Sequence, residues 1–290
     1  MMKKIIALAL ALSMALSMVA FAGYTDAALI NEDLTADVDL VKALGLMTGN
    51  PDGSFNPQGT LTRGEAAVII YRLKSGKTDI DASWGDASLN TFTDMADHWS
   101  AKYVNYCAAL GLITGNPDGT FRPDNAVTGV EMAKMLLNVA GYDTEKQQYG
   151  PKWPAAVLAD AGDSGLLEGY EAAFTAPAAR EWVAAMVANL LDVQTVSYNA
   201  YTNALVKNTK NDEPVLFGEQ YGVKTAKAFA LANKTAAMNT GAKESDYSKV
   251  RVTIDEKTTK EVDIDFNVSE DLLGHDVVVY YKGSELNKDS

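Results

Sequence analysis

The sequence has one cysteine, two histidines and a deficit of positive charge, and each shortage excludes a class of chemistry. Cys107 stands alone among 290 residues, so no intrachain disulfide can form and the fold must rely on packing. His98 and His275 are the only histidines, which excludes a histidine-rich metal site. The formal net charge is −13 and no cluster of Lys and Arg is present, so nucleic acid is not an expected partner.

Motifs of catalysis are also missing. The sequence contains no metallopeptidase His-Glu-x-x-His helix, no Gly-x-Ser-x-Gly nucleophile elbow and no glycine-rich phosphate loop. Carboxylates are plentiful, so a glycosidase that uses two of them is not excluded by counting. We predict no catalytic residue, no metal and no cofactor, and therefore a protein that is not an enzyme.

Only one long apolar run occurs, and it lies at the N-terminus. Lys3 and Lys4 precede this run, which ends in Ala-Phe-Ala at 20–22. The pattern is typical of a secretory signal peptide, to which we assign residues 1–22. The run is shorter than the roughly 20 apolar residues of a membrane-spanning helix. Cleavage would change the formal charge from −13 to −15 and leave a mature chain with no membrane span.

A thirteen-residue segment occurs twice. Residues 45–57 read GLMTGNPDGSFNP and residues 111–123 read GLITGNPDGTFRP, identical at ten of thirteen positions. Amphipathic segments flank both copies, which predicts a helix, a loop and a second helix in each. The Asn-Pro-Asp-Gly stretch has tight-turn chemistry, with Asp52 and Asp118 as turn formers. Because one such unit cannot bury its apolar face alone, the copies are expected to pack on one another.

The second helix of each copy has a marked start. Residues 62–65, Thr-Arg-Gly-Glu, and 128–131, Thr-Gly-Val-Glu, both have the form of a capping box. Phe55 and Phe121 follow the turns and are expected to fix the loops onto the core.

A third, degenerate copy follows with shorter loops. Gly-Leu-Leu-Glu-Gly at 165–169 matches the start of the loop, and Phe174 is interpreted as its phenylalanine. Ala178 replaces the capping threonine, and Glu181 opens the apolar helix. Three copies meet the minimum at which such units become stable. We assign the repeats to 23–76, 91–142 and 143–193, with a linker at 77–90.

These motifs together resemble the S-layer homology (SLH) domain of bacterial cell-surface proteins. The resemblance adds an aromatic-x-Asp motif at 24–26 and 92–94 and the pair His98-Trp99, and it covers about 24–192. It implies a mainly α domain of three helix-loop-helix repeats with pseudo-threefold symmetry. The grooves between such repeats bind secondary polymers attached to peptidoglycan, often through an acidic, pyruvylated sugar, without catalysis.

The resemblance also implies an arginine in the groove. Arg63 occupies the arginine of the Thr-Arg-x-Glu box and suits a carboxylate ligand, although a solvated surface arginine is the alternative. Gly129 stands at this position in the second copy. In the third copy, Arg180 is interpreted as displaced by one position. At most one groove is therefore expected to carry the full motif.

Four further residues match groove positions of the family. Gly49 and Gly115 would let backbone amides approach a sugar, and Trp99 and Asp94 match an aromatic and an acidic lining position. Trp99 fits a core position equally well. Asp94 and Asp26 could instead cap the first helix of their repeats.

The C-terminal third, 194–290, has a β pattern. Residues 250–254 and 262–266 alternate apolar and polar residues and predict a hairpin with a loop at 255–260. Residues 277–281 predict a further strand, and 222–233 a strand or an alanine-rich helix. The expected architecture is a helical repeat domain followed by a smaller β-rich module.

Three functions remain open at this point. The first is a secreted, non-catalytic protein of the cell wall or S-layer that binds a secondary cell wall polymer, such as a pyruvylated glycan. The second is an extracellular wall or glycan hydrolase tethered by the repeats. The third is a self-assembling lattice subunit.

Overall fold

The structure is a computed structural model that describes residues 3–4, 24–142, 152–199, 201–202, 204–208, 223–232, 248–255, 258–264 and 273–282. Two compact units are present: Gly23–Tyr221, and Met1–Ala22 together with Gly222–Ser290. Most of the predicted signal peptide lies outside the described residues. Over the described ranges, none of the helices has both the length and the apolar character needed to cross a bilayer.

The first unit contains three pairs of helices, as the repeats predict. They are α1 Thr35–Ala43, α2 Arg63–Ser75, α3 Ala101–Ala109, α4 Gly129–Val139, α5 Trp153–Asp163 and α6 Arg180–Asp192. Short 3-10 helices occur at Ala27–Leu29, Glu32–Leu34, Ala82–Gly85 and Ala87–Leu89. The division at the predicted repeat boundaries remains a prediction.

Both predicted capping boxes are confirmed. At the start of α2, the backbone N–H of Glu65 donates to the Thr62 hydroxyl, and the Glu65 carboxylate accepts from the Thr62 N–H at 2.8 Å. Thr128 and Glu131 form the same pair at the start of α4. The N-cap of α6 is Ala179, which has no side-chain cap. The lost threonine is therefore at Ala179, one residue beyond the predicted position.

Three backbone segments close the repeats into a ring. The N–H of Val127 donates to the carbonyl of Leu61 at 2.9 Å, the N–H of Ala178 donates to Val127 at 2.9 Å, and the N–H of Leu61 donates to Ala178 at 3.4 Å. All three residues are buried. Each comes from a different repeat and precedes its second helix, so the hydrogen bonds form a cycle. This cycle fits the predicted pseudo-threefold arrangement and defines which positions of the repeats are equivalent.

The loop phenylalanines are core residues in the first two copies. Phe55 and Phe121 are fully buried, with ring centroids 5.0 Å from Tyr24 and 5.4 Å from Phe92. Cys107 is also buried, and desolvation raises the pKa of its thiol, as expected for a packed, unreactive cysteine.

Phe174 is not the buried loop phenylalanine of the third copy. The N–H of Val130 donates to the Phe174 carbonyl, just as the N–H of Gly64 donates to Pro123. Phe174 is therefore equivalent to Pro123, two residues beyond the loop phenylalanine, and it is only half-buried. The sequence interpretation was wrong because the third loop is shorter than its counterparts and the motif cannot be aligned through it.

The predicted linker at 77–90 packs against the second repeat. The Trp84 ring meets Tyr106 edge-on, with centroids 5.1 Å apart. The Asn105 amide donates to the Trp84 carbonyl and to the Asn90 side chain, at 3.0 Å each. The segment thus covers α3 rather than merely joining two repeats.

A hairpin that the sequence analysis did not identify belongs to the same unit. Numbering the two-residue strand Lys3–Lys4 as β1, this hairpin pairs β2 Val196–Asn199 with β3 Ala204–Lys207. The N–H of Val196 donates to the Ala140 carbonyl at 2.8 Å, which ties the hairpin to the end of α4.

The second unit is a sheet with the order β1-β7-β4-β5-β6. Its longer strands are β4 Val223–Ala232, β5 Ser248–Asp255, β6 Thr258–Ile264 and β7 Asp276–Lys282. They pair antiparallel, while β1 pairs parallel with β7. The hairpin and the later strand are confirmed, and the segment predicted to be a strand or a helix forms strand β4, Val223–Ala232. The predicted loop at 255–260 was too long, since Asp255 pairs with Thr258.

The capping difference between the repeats predicts opposite effects on stability. Thr128→Ala should lower the free energy of unfolding by about 0.5–2 kcal/mol, because a helix N-terminal donor loses its acceptor. Ala179→Thr should raise it, because α6 gains the missing acceptor. Urea unfolding of both variants checks this. A stabilising Thr128→Ala or a destabilising Ala179→Thr would contradict the capping assignment.

Candidate ligand grooves

The first groove lies between the first two repeats, and Arg63 spans it. Its Nε donates to the Phe121 carbonyl at 2.8 Å, Nη1 to Glu131 at 3.0 Å and Nη2 to the Thr114 carbonyl at 3.1 Å. The guanidinium lies over the Phe121 ring at 4.6 Å, and the residue is only 7% exposed. Burial lowers the pKa of Arg63, and Glu131 opposes that shift. Arg63 is thus a clamp between repeats, a role that the sequence analysis did not consider.

A cavity of about 450 Å³ adjoins this clamp. Its lining includes Arg63, Gly115, Glu131, Lys134 and Trp153. The Lys134 ammonium lies 5.3 Å from the centroid of the Trp153 ring. The volume is within the roughly 300–1,000 Å³ range of small-molecule sites. An aromatic wall beside two cationic side chains suits a sugar that carries a carboxylate.

Lys134 and Trp153 were not among the predicted ligand residues. Lys134 is three residues after Glu131 in α4, which places both side chains on one helix face. The three-residue spacing is visible in the sequence and could have indicated that Lys134 lies beside Glu131 in the groove. Trp153 comes from the third repeat, so its approach to the first groove depends on tertiary packing.

Arg180 begins α6 and repeats the arrangement of Arg63 in another groove. Its Nε donates to the Phe55 carbonyl at 2.8 Å, and its guanidinium lies 5.2 Å from the Phe55 ring. The backbone equivalence of Leu61 and Ala178 places Arg63 and Arg180 at the same position. The predicted displacement of Arg180 was therefore wrong, and two grooves carry the arginine.

In the third repeat the glutamate, Glu181, lies one position before that of the capping glutamates Glu65 and Glu131. Glu181 occupies the position of Gly64, and its carboxylate accepts from the Asn31 N–H and the Gln58 amide of the first repeat. It does not cap α6. Trp182 stands where the capping glutamate would be.

The hydrogen bonding of Arg180 is less complete than that of Arg63. Within the part of the chain that the structure describes, only its Nε donates a hydrogen bond, and no carboxylate lies within ion-pairing distance. The residue is 9% exposed, and burial lowers its pKa. Two terminal nitrogens thus remain available at the groove between the third and first repeats.

Comparison with known proteins identifies the repeats. The family model described as the S-layer homology domain matches residues 36–67 and 91–133. The chain is an S-layer homology domain protein. It is related to S-layer and cell-surface proteins and is itself a cell-surface protein.

Several relatives are similar to part of this SLH protein. Cell surface glycoprotein 1 of Acetivibrio thermocellus is 42% identical over 93 residues, 32% of this chain and 4% of the relative. The Cellulosome-anchoring protein of the same organism is 41% identical over 88 residues, 30% of this chain and 19% of the relative. The Middle cell wall protein of Brevibacillus brevis is 30% identical over 169 residues, 56% and 16%. The chain thus spans less than a fifth of each.

The recurring aspartates of the SLH repeats, Asp26 and Asp94, accept hydrogen bonds from the loop backbone. The Asp94 carboxylate accepts hydrogen bonds from the N–H groups of Phe121 and Arg122, at 2.8 and 2.7 Å. Asp26 makes the same two bonds in the first repeat, at 2.7 Å each. Arg122 has a φ of 58°, so Asp94 fixes a left-handed residue in the loop. Neither aspartate caps a helix with its side chain, and the capping alternative was wrong.

Of the remaining predicted SLH site residues, Gly115 lines the cavity and Trp99 does not. Trp99 is 56% exposed, so it is not a core residue, and it is not part of the cavity lining beside Arg63. A Cβ at Gly49 would lie 2.6 Å from the Tyr24 ring, and one at Gly115 would clash with Phe92. These glycines admit the aromatic rings of their repeats. Gly115 also lines the cavity.

The unequal bonding of the two SLH arginines predicts unequal losses of stability. Arg63→Ala should lower the free energy of unfolding by at least about 1.5–3 kcal/mol, the contribution of one charged hydrogen bond. Arg180→Ala should cost less, because fewer hydrogen bonds are lost. Urea unfolding of both variants measures the difference. Equal losses, or a larger loss at Arg180, would contradict the clamp.

Proposed function

We propose that this protein is held non-covalently on the bacterial cell wall, without catalysis, by binding an acidic polymer linked to peptidoglycan in the grooves between its repeats. The observation that carries this proposal is the cavity lined by Arg63, Lys134 and Trp153. The chain has a formal net charge of −13, which repels an anion at long range. Cationic side chains gathered at one cavity therefore favour a local anion site.

The clamp at Arg63 prepares the first groove for a ligand. Three hydrogen bonds already fix the Arg63 side chain, so binding would cost it little further conformational entropy. Lys134 supplies a point charge for a carboxylate, and Trp153 supplies an apolar face for the C–H groups of a sugar ring.

The Arg180 groove provides a second contact. The terminal nitrogens of Arg180 make no hydrogen bond among the described residues and are not fully buried, so they can donate to the carboxylate of a ligand that enters the groove. The two grooves of the helical unit would bind successive repeating sugars of one polymer chain. The second contact is then intramolecular, and the overall affinity exceeds that of either groove.

Two further observations support anchoring over catalysis. One relative is named a Cellulosome-anchoring protein and another a Middle cell wall protein, and both align with this chain. Glu65 and Glu131, which a glycosidase reading would use, cap helices α2 and α4. Both carboxylates accept from the backbone and hydroxyl of their threonine, and the Glu131 carboxylate also accepts from Arg63.

Binding to purified sacculi tests this function. The full mature chain should sediment with intact sacculi and remain in solution with sacculi from which the secondary polymers have been stripped. Lys134→Gln and Arg180→Gln should each weaken binding about 10-fold or more, as loss of a charge-assisted hydrogen bond implies.

Arg251→Gln is the matched control, since Arg251 is exposed on β5 and pairs with Glu261 at 3.3 Å. It removes the same charge far from the repeats in sequence and should leave binding unchanged. Equal binding of the wild-type chain to intact and stripped sacculi would reject the anchoring proposal.

A further inference from the structure

The interface between the second and third repeats lacks both members of the ion pair found in the first groove. The N–H of Gly129 donates to Ala176, as the N–H of Arg63 donates to Asn125, so Gly129 occupies the arginine position. On the opposite side, Trp182 occupies the position of the glutamate. The cation and its carboxylate partner have been replaced together.

Tyr170 fills the space that an arginine would take. Its hydroxyl oxygen lies 2.5 Å from where a Cβ on Gly129 would stand. The ring stacks on Phe174 with centroids 4.7 Å apart and an interplanar angle of 14°, and it contacts Trp182 at 5.5 Å. Any side chain at position 129, an arginine included, is excluded while Tyr170 holds this place.

The short third loop explains why a tyrosine fits here. The segment from Gly169 to Ala176 is three residues shorter than the equivalent segment from Gly49 to Gly59. Tyr170 directly follows Gly169, at the start of this shortened segment. The hydroxyl is buried without a hydrogen-bond partner among the described residues, and burial raises the pKa of Tyr170.

We infer that Tyr170 closes the groove between the second and third repeats, so that the chain offers an acidic polymer two grooves instead of three. The number of binding grooves rests on the proposed function, whereas the closure itself does not. Among the described residues, neither of the two positions that form the ion pair in the first groove carries a charge here, since they are Gly129 and Trp182. Phe174 stacks on one face of the Tyr170 ring and Trp182 lies 5.5 Å from it at a tilted angle, so aromatic neighbours already occupy much of the surface a sugar would contact.

The closure is tested by a double-mutant cycle that needs no ligand. Gly129→Ala should lower the melting temperature of the full chain, because the new Cβ meets the Tyr170 hydroxyl. Tyr170→Phe removes that oxygen and should leave the melting temperature unchanged or higher, since the hydroxyl has no partner among the described residues. In the Tyr170→Phe background, Gly129→Ala should cost less, because only the 3.2 Å contacts of the new Cβ with the Phe174 Cα and the ring carbon of residue 170 remain.

Two outcomes of the double-mutant cycle would contradict the closure of the groove by Tyr170. A Gly129→Ala loss that is equally large in both backgrounds would overturn the closure, as would a clear fall in melting temperature on Tyr170→Phe. Both variants alter few atoms, which keeps folded protein available for the measurement. Gly162→Ala is the control, because nothing lies within 4 Å of a Cβ at that helical position.

The number of grooves is tested with a defined probe, the methyl glycoside of a hexosamine bearing a 4,6-pyruvate ketal. Calorimetric titration of the wild-type chain should reach saturation at two equivalents or fewer. The double variant Lys134→Gln/Arg180→Gln should show no remaining binding. Saturation at three equivalents, or an equivalent retained by the double variant, would overturn the inference. Failure of the wild-type chain to bind intact sacculi would reject the anchoring proposal. The melting temperatures of the double-mutant cycle would still test whether Tyr170 closes the groove.

Discussion

The backbone hydrogen-bond cycle of Leu61, Val127 and Ala178 is the constraint on which the helical unit depends. These amides are buried, and a buried N–H without an acceptor is costly, so each repeat must supply the acceptor of another. In the structure, each of the three segments finds its acceptor in another repeat. The cycle therefore forces the three copies into a ring and places the first residue of each second helix at an interface between repeats.

The side chain at that interface then decides what each groove can do. Arg63 donates three hydrogen bonds to the neighbouring repeat, and a cavity lies beside it. Arg180 donates only from Nε, so its two terminal nitrogens remain available. Gly129 leaves room for Tyr170, which fills the third position with an aromatic ring. Equivalent backbone positions thus carry an arginine that bridges two repeats, an arginine with two terminal nitrogens available, and a glycine beside a tyrosine, so the grooves differ in charge and volume.

Local signals in the sequence predicted local structure well. The capping boxes at Thr62 and Thr128 followed from patterns a few residues long, because both partners of each box lie within the same segment. The burial of Phe55 followed from its place in the repeat, although its ring packs against Tyr24, 31 residues away. The site was less predictable. Arg63 bonds to residues more than 50 positions away, which a motif cannot reveal. Arg180 was misplaced because its loop had shortened, and only the backbone hydrogen bonds between repeats restored the alignment.

The central claim is that the three interfaces between repeats differ in their capacity for an acidic polymer. Amide chemical-shift mapping of the full mature chain, titrated with soluble polysaccharide released from purified cell walls, tests it most directly. The account predicts shifts around Lys134 and Arg180 and none around Gly129 and Tyr170. Comparable shifts at all three interfaces, or shifts centred on Tyr170, would contradict it.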